Sequence, residues 1–365
     1  MPGLWDMHVH LLWEHVGQFL PLCIANGVTG IRDLHTKLTP EQVNEWRQRI
    51  SEGAAVGPRL VASGPIVDGP RPWWPGSIAV TNAADAREAV RRLKREGRDM
   101  VKVYETLPRE AYFALADEAK KQGIPFVGHT PAAITALEAS EAGQKSIEHL
   151  SRVWESCCVT QGRAVLYDEQ KAAALLNVFK KNHTWQCPTF VVRVGSYRTI
   201  GEMTNDTRRK YISKEVQARA YWNEARQESP ERRERFRREL ELVGKMQREG
   251  IGVLAGTDAI MPYVFPGFSL HDELAFMVKA GLSPMVTLQT ATLNPARFLG
   301  LDKSLGTVEK GKLADLVLLE ANPLIDIRNT KRIAAVVANG RLFDRPALDR
   351  MLREVELRVA QEAAP

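Results

Sequence analysis

Short apolar segments alternate with helical segments along most of the chain, and this alternation restricts the fold more than any other feature of the sequence. Glycine ends several of the helical segments, for example at Gly27, Gly123 and Gly143. The predicted strands are residues 4–10, 28–34, 59–62, 100–104, 124–127, 146–149, 185–192 and 252–256. Strands that alternate with helices favour parallel βαβ units. Eight such units predict a TIM-type (β/α)8 barrel, an α/β fold.

The pattern changes at Gly306. Three strand-like segments follow, at residues 314–319, 333–338 and 341–343, with turn signals at Lys310-Gly311 and Asn339-Gly340. We therefore predict a barrel over residues 1–305 and a small β-sandwich appendage with a C-terminal helix over residues 306–365. Residues 193–250 are too long for one crossover and are predicted to form a helical insertion.

Capping residues predict where several helices begin. Thr39 followed by Pro40 is a typical N-cap with proline at the first helical position, and Ser283 followed by proline repeats the pattern. For the eighth helix, Ser269 with Asp272 three residues later predicts a capping box.

Composition and charge exclude several classes of protein. The formal net charge is +6, but much of the basic excess lies between Arg208 and Arg238, interleaved with acidic residues. A solvated helical face explains this segment better than a nucleic-acid interface, because regularly spaced aromatic residues are missing from it. No run of eighteen apolar residues and no leader-like start occur, so we expect no membrane span, no signal peptide and a cytoplasmic location. The four cysteines show no CxxC spacing and are expected to be reduced.

Residues that bind metal ions well stand at the ends of five predicted strands. Alternation along the first strand places Asp6, His8 and His10 on one face. Barrel enzymes keep their chemistry at the C-terminal ends of the strands, so these side chains are expected to meet. The candidate ligands are His8, His10, Lys102, His129, His149 and Asp258. Imidazoles with a carboxylate suit zinc or a similar divalent ion.

Lys102 lies within an apolar strand, where an ammonium group is costly to bury and tends to lose its proton. A neutral amine can react with carbon dioxide to form a carbamate, which bridges two metal ions as a carboxylate does. An ion pair with Asp33 or Glu105 is the alternative for this lysine. The histidines at positions 15, 183 and 271 have no partners at useful spacing and are expected to be structural.

Several short motifs together resemble the amidohydrolase superfamily. They are Asp-Met-His-Val-His at 6–10, Lys102, Gly-His-Thr at 128–130, Glu-His-Leu at 148–150, Gly-Thr-Asp at 256–258 and Gly-Thr-Val-Glu-Lys-Gly-Lys-Leu-Ala-Asp-Leu-Val at 306–317. The Xaa-Pro dipeptidase and imidazolonepropionase-like branch is the most similar, with ochratoxinase-type enzymes also similar. The resemblance covers nearly the whole chain.

The resemblance implies a centre with two divalent metal ions, zinc above all. One ion would be held by His8, His10 and Asp258, and the other by His129 and His149.

The same resemblance implies the catalytic roles. Carboxylated Lys102 would bridge the two ions, and a metal-bound hydroxide would attack the substrate carbonyl. Asp258 would accept the proton of that hydroxide and pass it to the leaving amine. Asp6 is expected to contact one of the metal ligands and hold it in place without binding the metal itself.

We expect the reaction to be hydrolysis of an amide bond in a small molecule, namely a dipeptide or an N-acyl amino acid. A cyclic amidohydrolase or a lactonase with the same metal site is the alternative, and a non-catalytic binding protein is a more distant one. The candidate substrate contacts are Tyr104, His35, Arg71, Arg193 and Arg198, of which the arginines would bind a substrate carboxylate.

Members of the family normally carry a longer segment before the first barrel strand, and it contributes strands to the β-sandwich. This chain begins three residues before Leu4, so the resemblance implies a partial, N-terminally truncated sandwich. Exposed edge strands in such a sandwich favour pairing with another chain, and we therefore expect either a homo-oligomer, namely a homodimer, or reduced solubility.

Overall fold

A computed structural model describes residues 1–13, 15–161, 164–195, 205–218 and 230–362. The elements of its first part are β1 (Leu4–Val9), α1 (Val16–Ala25), β2 (Val28–Asp33), α2 (Pro40–Ser51), β3 (Arg59–Ala62), β4 (Ile66–Asp68), β5 (Ile78–Ala79), α3 (Ala83–Arg95), β6 (Val101–Val103), α4 (Arg109–Gln122), β7 (Phe126–Gly128), α5 (Ala136–Glu141) and β8 (Ser146–Glu148). Next come α6 (Val153–Ser156), β9 (Cys158–Gln161), β10 (Ala164–Tyr167), α7 (Glu169–Asn182), β11 (Trp185–Cys187), α8 (Phe190–Gly195), a 3-10 helix (Thr207–Tyr211), α9 (Lys214–Ala218), α10 (Pro230–Arg248), α11 (Phe268–Lys279), α12 (Pro284–Thr290) and α13 (Leu293–Leu299). The last elements are β12 (Leu316–Leu319), a 3-10 helix (Ile327–Lys331), β13 (Ile333–Ala338), β14 (Arg341–Asp344) and α14 (Arg345–Glu362).

The parallel strands form a closed ring. One sheet has the order β1-β2-β3, and the other has the order β11-β8-β7-β6-β4-β5. Residues 252–256 join the two sheets, because the Met7 amide donates to the Ala255 carbonyl (2.9 Å) and the Leu254 amide donates to the Gln186 carbonyl (2.9 Å). On the other side the chain passes from β3 to β4, which pairs with β6. The predicted barrel is confirmed.

An apolar cluster fills the barrel below the ends of the strands. Met7 of β1, Val127 of β7, Cys187 of β11 and Leu254 belong to one buried cluster, together with Phe298 of α13. Side chains from strands on opposite sides of the ring can meet only through its interior. The polar side chains at the strand ends therefore pack against this apolar cluster, which restricts their motion.

Several local predictions are confirmed. The Thr39 side chain accepts a hydrogen bond from the Gln42 amide at the start of α2. The helix predicted after Ser283 begins at Pro284, and the Ser283 side chain caps it. The Asn339-Gly340 turn between β13 and β14 has positive φ at both residues (50° and 72°), as a two-residue hairpin loop requires.

Other local predictions are wrong. The predicted seventh strand, residues 185–192, ends as β11 at Cys187, because the chain turns at Pro188 into the short helix α8. The predicted capping box at Ser269 does not form, since α11 already begins at Phe268 and the Ser269 hydroxyl accepts from the Phe265 amide. Strand β4 and the hairpin β9–β10 were not predicted.

The C-terminal sheet has the antiparallel order β12-β13-β14. One face of it packs on the barrel, where Val317, Val336 and Phe343 form a buried cluster with Ile24 of α1. The main chain of residues 1–3 runs along β12, with the Val317 amide donating to the Met1 carbonyl at 2.9 Å. The predicted strands 314–319, 333–338 and 341–343 correspond to these three strands. The boundary at residues 305 and 306 remains a prediction.

Two further observations concern expectations from composition. In the part of the chain that the structure describes, no helix is both long and apolar enough to cross a membrane. All four cysteines are buried and free, as expected for reduced thiols.

Candidate metal centre

One carboxylate and three imidazoles meet where β1 and the 252–256 segment end. The Asp258 Oδ1 atom lies 2.8 Å from His10 Nε2 and 3.4 Å from His8 Nε2. Its Oδ2 atom lies 3.9 Å from His149 Nε2. Ligand atoms of His8, His10 and Asp258 all fall within 4.8 Å of one another, a spacing at which one metal ion can contact all three.

The remaining predicted ligands come from the adjacent strands β6, β7 and β8. The rings of His129 and His149 have centroids 4.7 Å apart, and the ring of His149 lies 4.5 Å from that of His8. Lys102 on β6 is 1 % exposed and interacts electrostatically with both His8 and His129. The structure thus brings all six predicted ligands to one place.

A hydrogen bond at Nδ1 orients each of three histidine rings. The pairs are His8 with Glu148 (2.8 Å), His129 with Glu105 (2.8 Å) and His149 with Thr189 (2.6 Å). The carboxylates can only accept, and the Thr189 hydroxyl already donates to the Pro188 carbonyl (2.8 Å). Each ring therefore carries its proton on Nδ1 and directs the lone pair of Nε2 toward the centre.

Burial keeps these rings neutral. Desolvation lowers the pKa of His8, of His129 and of His149 well below the usual value. Burial alone would raise the pKa of Asp258, but the neighbouring imidazoles and Lys102 hold it below its usual value. At neutral pH the site therefore presents imidazole lone pairs together with an ionised carboxylate, which is the protonation state that a cation requires.

Lys102 does not form the ion pairs that were its alternative. The Asp33 carboxylate accepts from the amides of Leu11 (2.6 Å) and Leu12 (2.9 Å), and Glu105 binds His129 and Arg152. Desolvation lowers the pKa of Lys102 to about 8. Its Nζ atom is buried and has no hydrogen-bond partner in the part of the chain that the structure describes.

The donor set fits a divalent cation. His8 Nε2 and Lys102 Nζ are both buried polar atoms without a partner, and such atoms are rare unless a ligand satisfies them. The His8 lone pair faces the Asp258 carboxylate at 3.4 Å, and two electron-rich groups at that distance repel unless a cation lies between them. Nitrogen and oxygen ligands of this kind are those of zinc and similar ions.

Asp6 supports the ligands through their backbone rather than through a ring. Asp6 contacts no imidazole ring among the described residues, but accepts from the Thr257 amide (2.9 Å) and hydroxyl (2.6 Å) and from the His8 amide (3.3 Å). It holds the backbone of the two ligand-bearing segments together. The residues that orient the rings, Glu148, Glu105 and Thr189, were not predicted, although Glu148 immediately precedes His149 in the sequence.

Two of the predicted substrate contacts lie beside the ligands. The ring of Tyr104 lies 4.2 Å from that of His129, and the Trp74 indole N–H donates to the Tyr104 oxygen (2.9 Å). The ring of His35 lies 6.3 Å from that of His10, and burial lowers the pKa of His35 to about 3.

The predicted arginines have different environments. Arg71 is exposed. Arg193 donates to the His149 carbonyl (2.9 Å) and pairs with Glu239 (3.4 Å), so it lies next to a ligand. Arg198 lies outside the described residues. A further arginine that was not predicted, Arg152, follows β8 and pairs with Glu105 (3.2 Å).

The histidines set aside as structural have other partners. His271 is buried in α11, and its ring nitrogens contact the Thr330 hydroxyl (3.0 Å) and the Asn26 carbonyl (3.1 Å). His183 ends α7 in a left-handed conformation.

Comparisons with known proteins agree with the resemblance of the motifs. A model of a protein family, described as "Amidohydrolase family", matches residues 1–343. Ochratoxinase from Aspergillus niger is 23% identical over 425 aligned residues, which cover 95% of this chain and 76% of that protein.

Solved structures are similar over nearly the whole chain. A bottromycin amidohydrolase superposes with a TM-score of 0.78 at 25% identity, covering 98% of this chain and 80% of that one. A Xaa-Pro dipeptidase with bound methionine superposes with a TM-score of 0.68 at 21% identity, covering 94% of this chain and 86% of that one.

Proposed function

The chain belongs to the amidohydrolase family and is a hydrolase that acts on C–N bonds, and we propose that it uses divalent metal ions to hydrolyse an amide bond in a dipeptide or an N-acyl amino acid. One observation carries the metal dependence of this proposal. Three imidazole rings, the Asp258 carboxylate and the amine of Lys102, which has no hydrogen-bond partner among the described residues, converge at the C-terminal end of the barrel.

We propose two zinc ions in this site. His8, His10 and Asp258 would hold one, and His129 with His149 would hold the other. A bound ion would supply Lewis acidity to a carbonyl oxygen and to a water molecule.

Lys102 would bridge the two metal positions as a carbamate. Its pKa of about 8 leaves a fraction of the amine neutral at pH 7. The neutral nitrogen adds to carbon dioxide and loses one proton, which gives an anionic oxygen donor. Metal ions bound to that donor would give the buried end of Lys102 a partner, which the amine lacks among the described residues.

Asp258 is the proposed proton carrier. It is 7 % exposed at the mouth of the barrel, and it stays ionised because its pKa is held low. An ionised carboxylate can accept a proton from the attacking water and return it to the leaving amine, without which the amine leaves poorly.

Tyr104 is a donor suited to the substrate carbonyl. Trp74 donates to the Tyr104 oxygen, so the hydroxyl proton of Tyr104 is left for another acceptor. Burial raises the pKa of Tyr104, which keeps that proton in place at neutral pH. Its ring lies against His129, so the hydroxyl is near the metal ligands.

The substrate class is the most specific part of the proposal. The structural neighbour named Xaa-Pro dipeptidase acts, by its name, on dipeptides, and they are the first compounds to test. Arg193 and Arg152, next to His149 and Glu105, are candidate partners for a substrate carboxylate.

The test combines metal analysis with a hydrolysis screen. We expect two zinc equivalents per chain after reconstitution with zinc and bicarbonate, and turnover of members of a dipeptide and N-acyl amino acid library. Asp258→Asn should lower kcat by about 10²–10⁴-fold, as loss of a general base does. The control Asp302→Asn changes an exposed carboxylate and should leave kcat unchanged.

Three outcomes would contradict the proposal. Absence of bound metal after reconstitution would refute metal dependence and favour a binding protein. Full activity of Asp258→Asn would refute the role of that carboxylate. Turnover confined to lactones or cyclic amides would refute the substrate class.

A further inference from the structure

We propose that the buried ion pair between Arg32 and Glu148 fixes the tautomer of His8 and thereby keeps its Nε2 lone pair available to a metal ion. Neither Arg32 nor Glu148 is itself a proposed ligand, so both are positioning residues. The inference rests on the proposed function only where it concerns metal affinity, because the tautomer is a property of the metal-free protein.

The ion pair is completely enclosed. Arg32 and Glu148 are both 0 % exposed. Arg32 Nη2 lies 2.9 Å from Glu148 Oε1 and 3.0 Å from Oε2, and Nη1 donates to the Ser146 hydroxyl (3.0 Å). The third nitrogen, Nε, donates to the Met7 carbonyl. Arg32 contacts both carboxylate oxygens and the Ser146 hydroxyl donates to one of them, so the surroundings of Glu148 supply only donors, as an ionised carboxylate requires.

The two carboxylate oxygens of Glu148 have different hydrogen-bond partners, so the two oxygens are not equivalent. Oε1 accepts from Arg32 and from the Ser146 hydroxyl. Oε2 also accepts from Arg32 (3.0 Å) and lies 2.8 Å from His8 Nδ1. An ionised carboxylate can only accept, so the His8 proton must be on Nδ1, and Nε2 carries the lone pair that faces Asp258.

The other rings have weaker support at Nδ1. His129 is held by Glu105, which is 31% exposed in its side chain and shared with Arg152. His149 is held by the neutral hydroxyl of Thr189. A buried, fully ionised acceptor is therefore the particular property of the His8 position among these three.

Replacing the carboxylate by an amide should reverse the tautomer. In Glu148→Gln we expect the amide oxygen at the Oε1 position, because the Ser146 hydroxyl donates only there and Arg32 donates there at the shorter distance (2.9 Å against 3.0 Å to Oε2). The amide NH2 group then faces His8 Nδ1 and donates to it. The His8 proton moves to Nε2, where it blocks the lone pair that a metal ion needs.

The first measurement reads the tautomer directly in metal-free protein. Protein with 15N-labelled histidine is stripped of metal, and two-bond 15N–1H spectra identify which ring nitrogen of His8 is protonated. The signal is assigned by its absence in His8→Gln. We expect a protonated Nδ1 in the unsubstituted protein and a protonated Nε2 in Glu148→Gln. A protonated Nε2 in the unsubstituted protein would overturn the inference, even if the variant failed to fold.

The second measurement reads zinc affinity by competition with a chelator. Loss of a partner behind a ligating histidine typically weakens metal binding by about 10–100-fold, and we expect Glu148→Gln to weaken one zinc equivalent by this factor. The matched control is Glu118→Gln. Glu118 on α4 is another buried glutamate bound by an arginine (Arg91, 2.9 Å), and its substitution should change neither the tautomer of His8 nor the zinc affinity.

The two proposals fail in different ways. An inverted tautomer with unchanged zinc affinity would refute the link between Glu148 and metal binding. An unchanged tautomer in a folded Glu148→Gln variant would refute the inference as a whole. Unsubstituted protein that binds no zinc would refute the proposed function, while the tautomer result would still decide whether Glu148 controls His8.

Discussion

Lys102→Met is expected to make the metal-free protein more stable, although it removes a proposed catalytic residue. Lys102 is 1 % exposed, and its amine has no hydrogen-bond partner among the residues that the structure describes. Its pKa falls from the usual 10.5 to about 8 because burial disfavours the charged form. Methionine has a similar length and shape and needs no proton, so it removes this penalty while keeping the packing.

The size of the effect follows from the pKa. One unit of pKa corresponds to about 1.4 kcal/mol, so the lysine destabilises the folded state by about 3 kcal/mol at pH 7. The folded pKa is depressed, so the unfolded chain binds more protons between pH 8 and 10.5. Stability of the lysine protein therefore rises with pH in this range, and its deficit against Lys102→Met should shrink to about 2 kcal/mol at pH 9.

The assay is reversible urea unfolding of chelator-treated protein in degassed buffer, followed by tryptophan fluorescence at pH 7 and pH 9. The control is Lys94→Met, which replaces an exposed lysine and should change the free energy of unfolding by less than about 0.5 kcal/mol at both pH values. A Lys102→Met variant that is no more stable than the lysine protein would show that Nζ has a partner or a carbamate without metal. A stability gain that does not decrease at pH 9 would refute desolvation of the amine as its cause.

Two further predictions concern Trp74 and Glu273. Trp74→Phe removes the donor to Tyr104 and should lower kcat/KM by about tenfold through a misoriented hydroxyl, with zinc content unchanged; unchanged kinetics would show that Tyr104 is positioned by other contacts. Burial raises the pKa of Glu273 to about 8, so the folded protein retains a proton that the unfolded chain releases, and stability falls as pH rises from 5 to 8. Relative to Glu273→Gln, the glutamate protein should lose about 2.5 kcal/mol of unfolding free energy between pH 5 and pH 7; parallel pH profiles in urea unfolding would contradict this.

The order of strands and helices and the set of candidate ligands could be read from the sequence. Apolar runs of strand length separated by helical segments leave few alternatives to a barrel, because each element must bury its apolar side against the next. Ligand-type residues at the ends of those runs then have to meet at one rim. This is why the sequence predicts one common set of ligands, namely His8, His10, Lys102, His129, His149 and Asp258.

Local signals were less reliable where the tertiary structure competes with them. Ser269 and Asp272 have the spacing of a capping box, yet Asp272 pairs with Arg208 (2.8 Å) and Lys331 (2.7 Å), and Ser269 accepts from the Phe265 amide. Residues 185–192 have the composition of a strand, but the pairing with β8 ends at Cys187. Contacts with distant residues outweigh local preference in both places.

The sequence by itself determined the type of fold and the residue types at the strand ends, since both follow from periodicity along the chain. Only the tertiary structure decided which groups hydrogen-bond to those residues and orient them. Arg32 and Glu148 are separated by more than a hundred positions, and Glu105 and His129 by more than twenty. No periodicity relates such pairs. The contact of Glu105 with His129 depends on the pairing of β6 with β7. The contact of Arg32 with Glu148 depends on the closure of the barrel, which brings β2 and β8 face to face across its interior, and this contact is the proposed basis of the His8 tautomer.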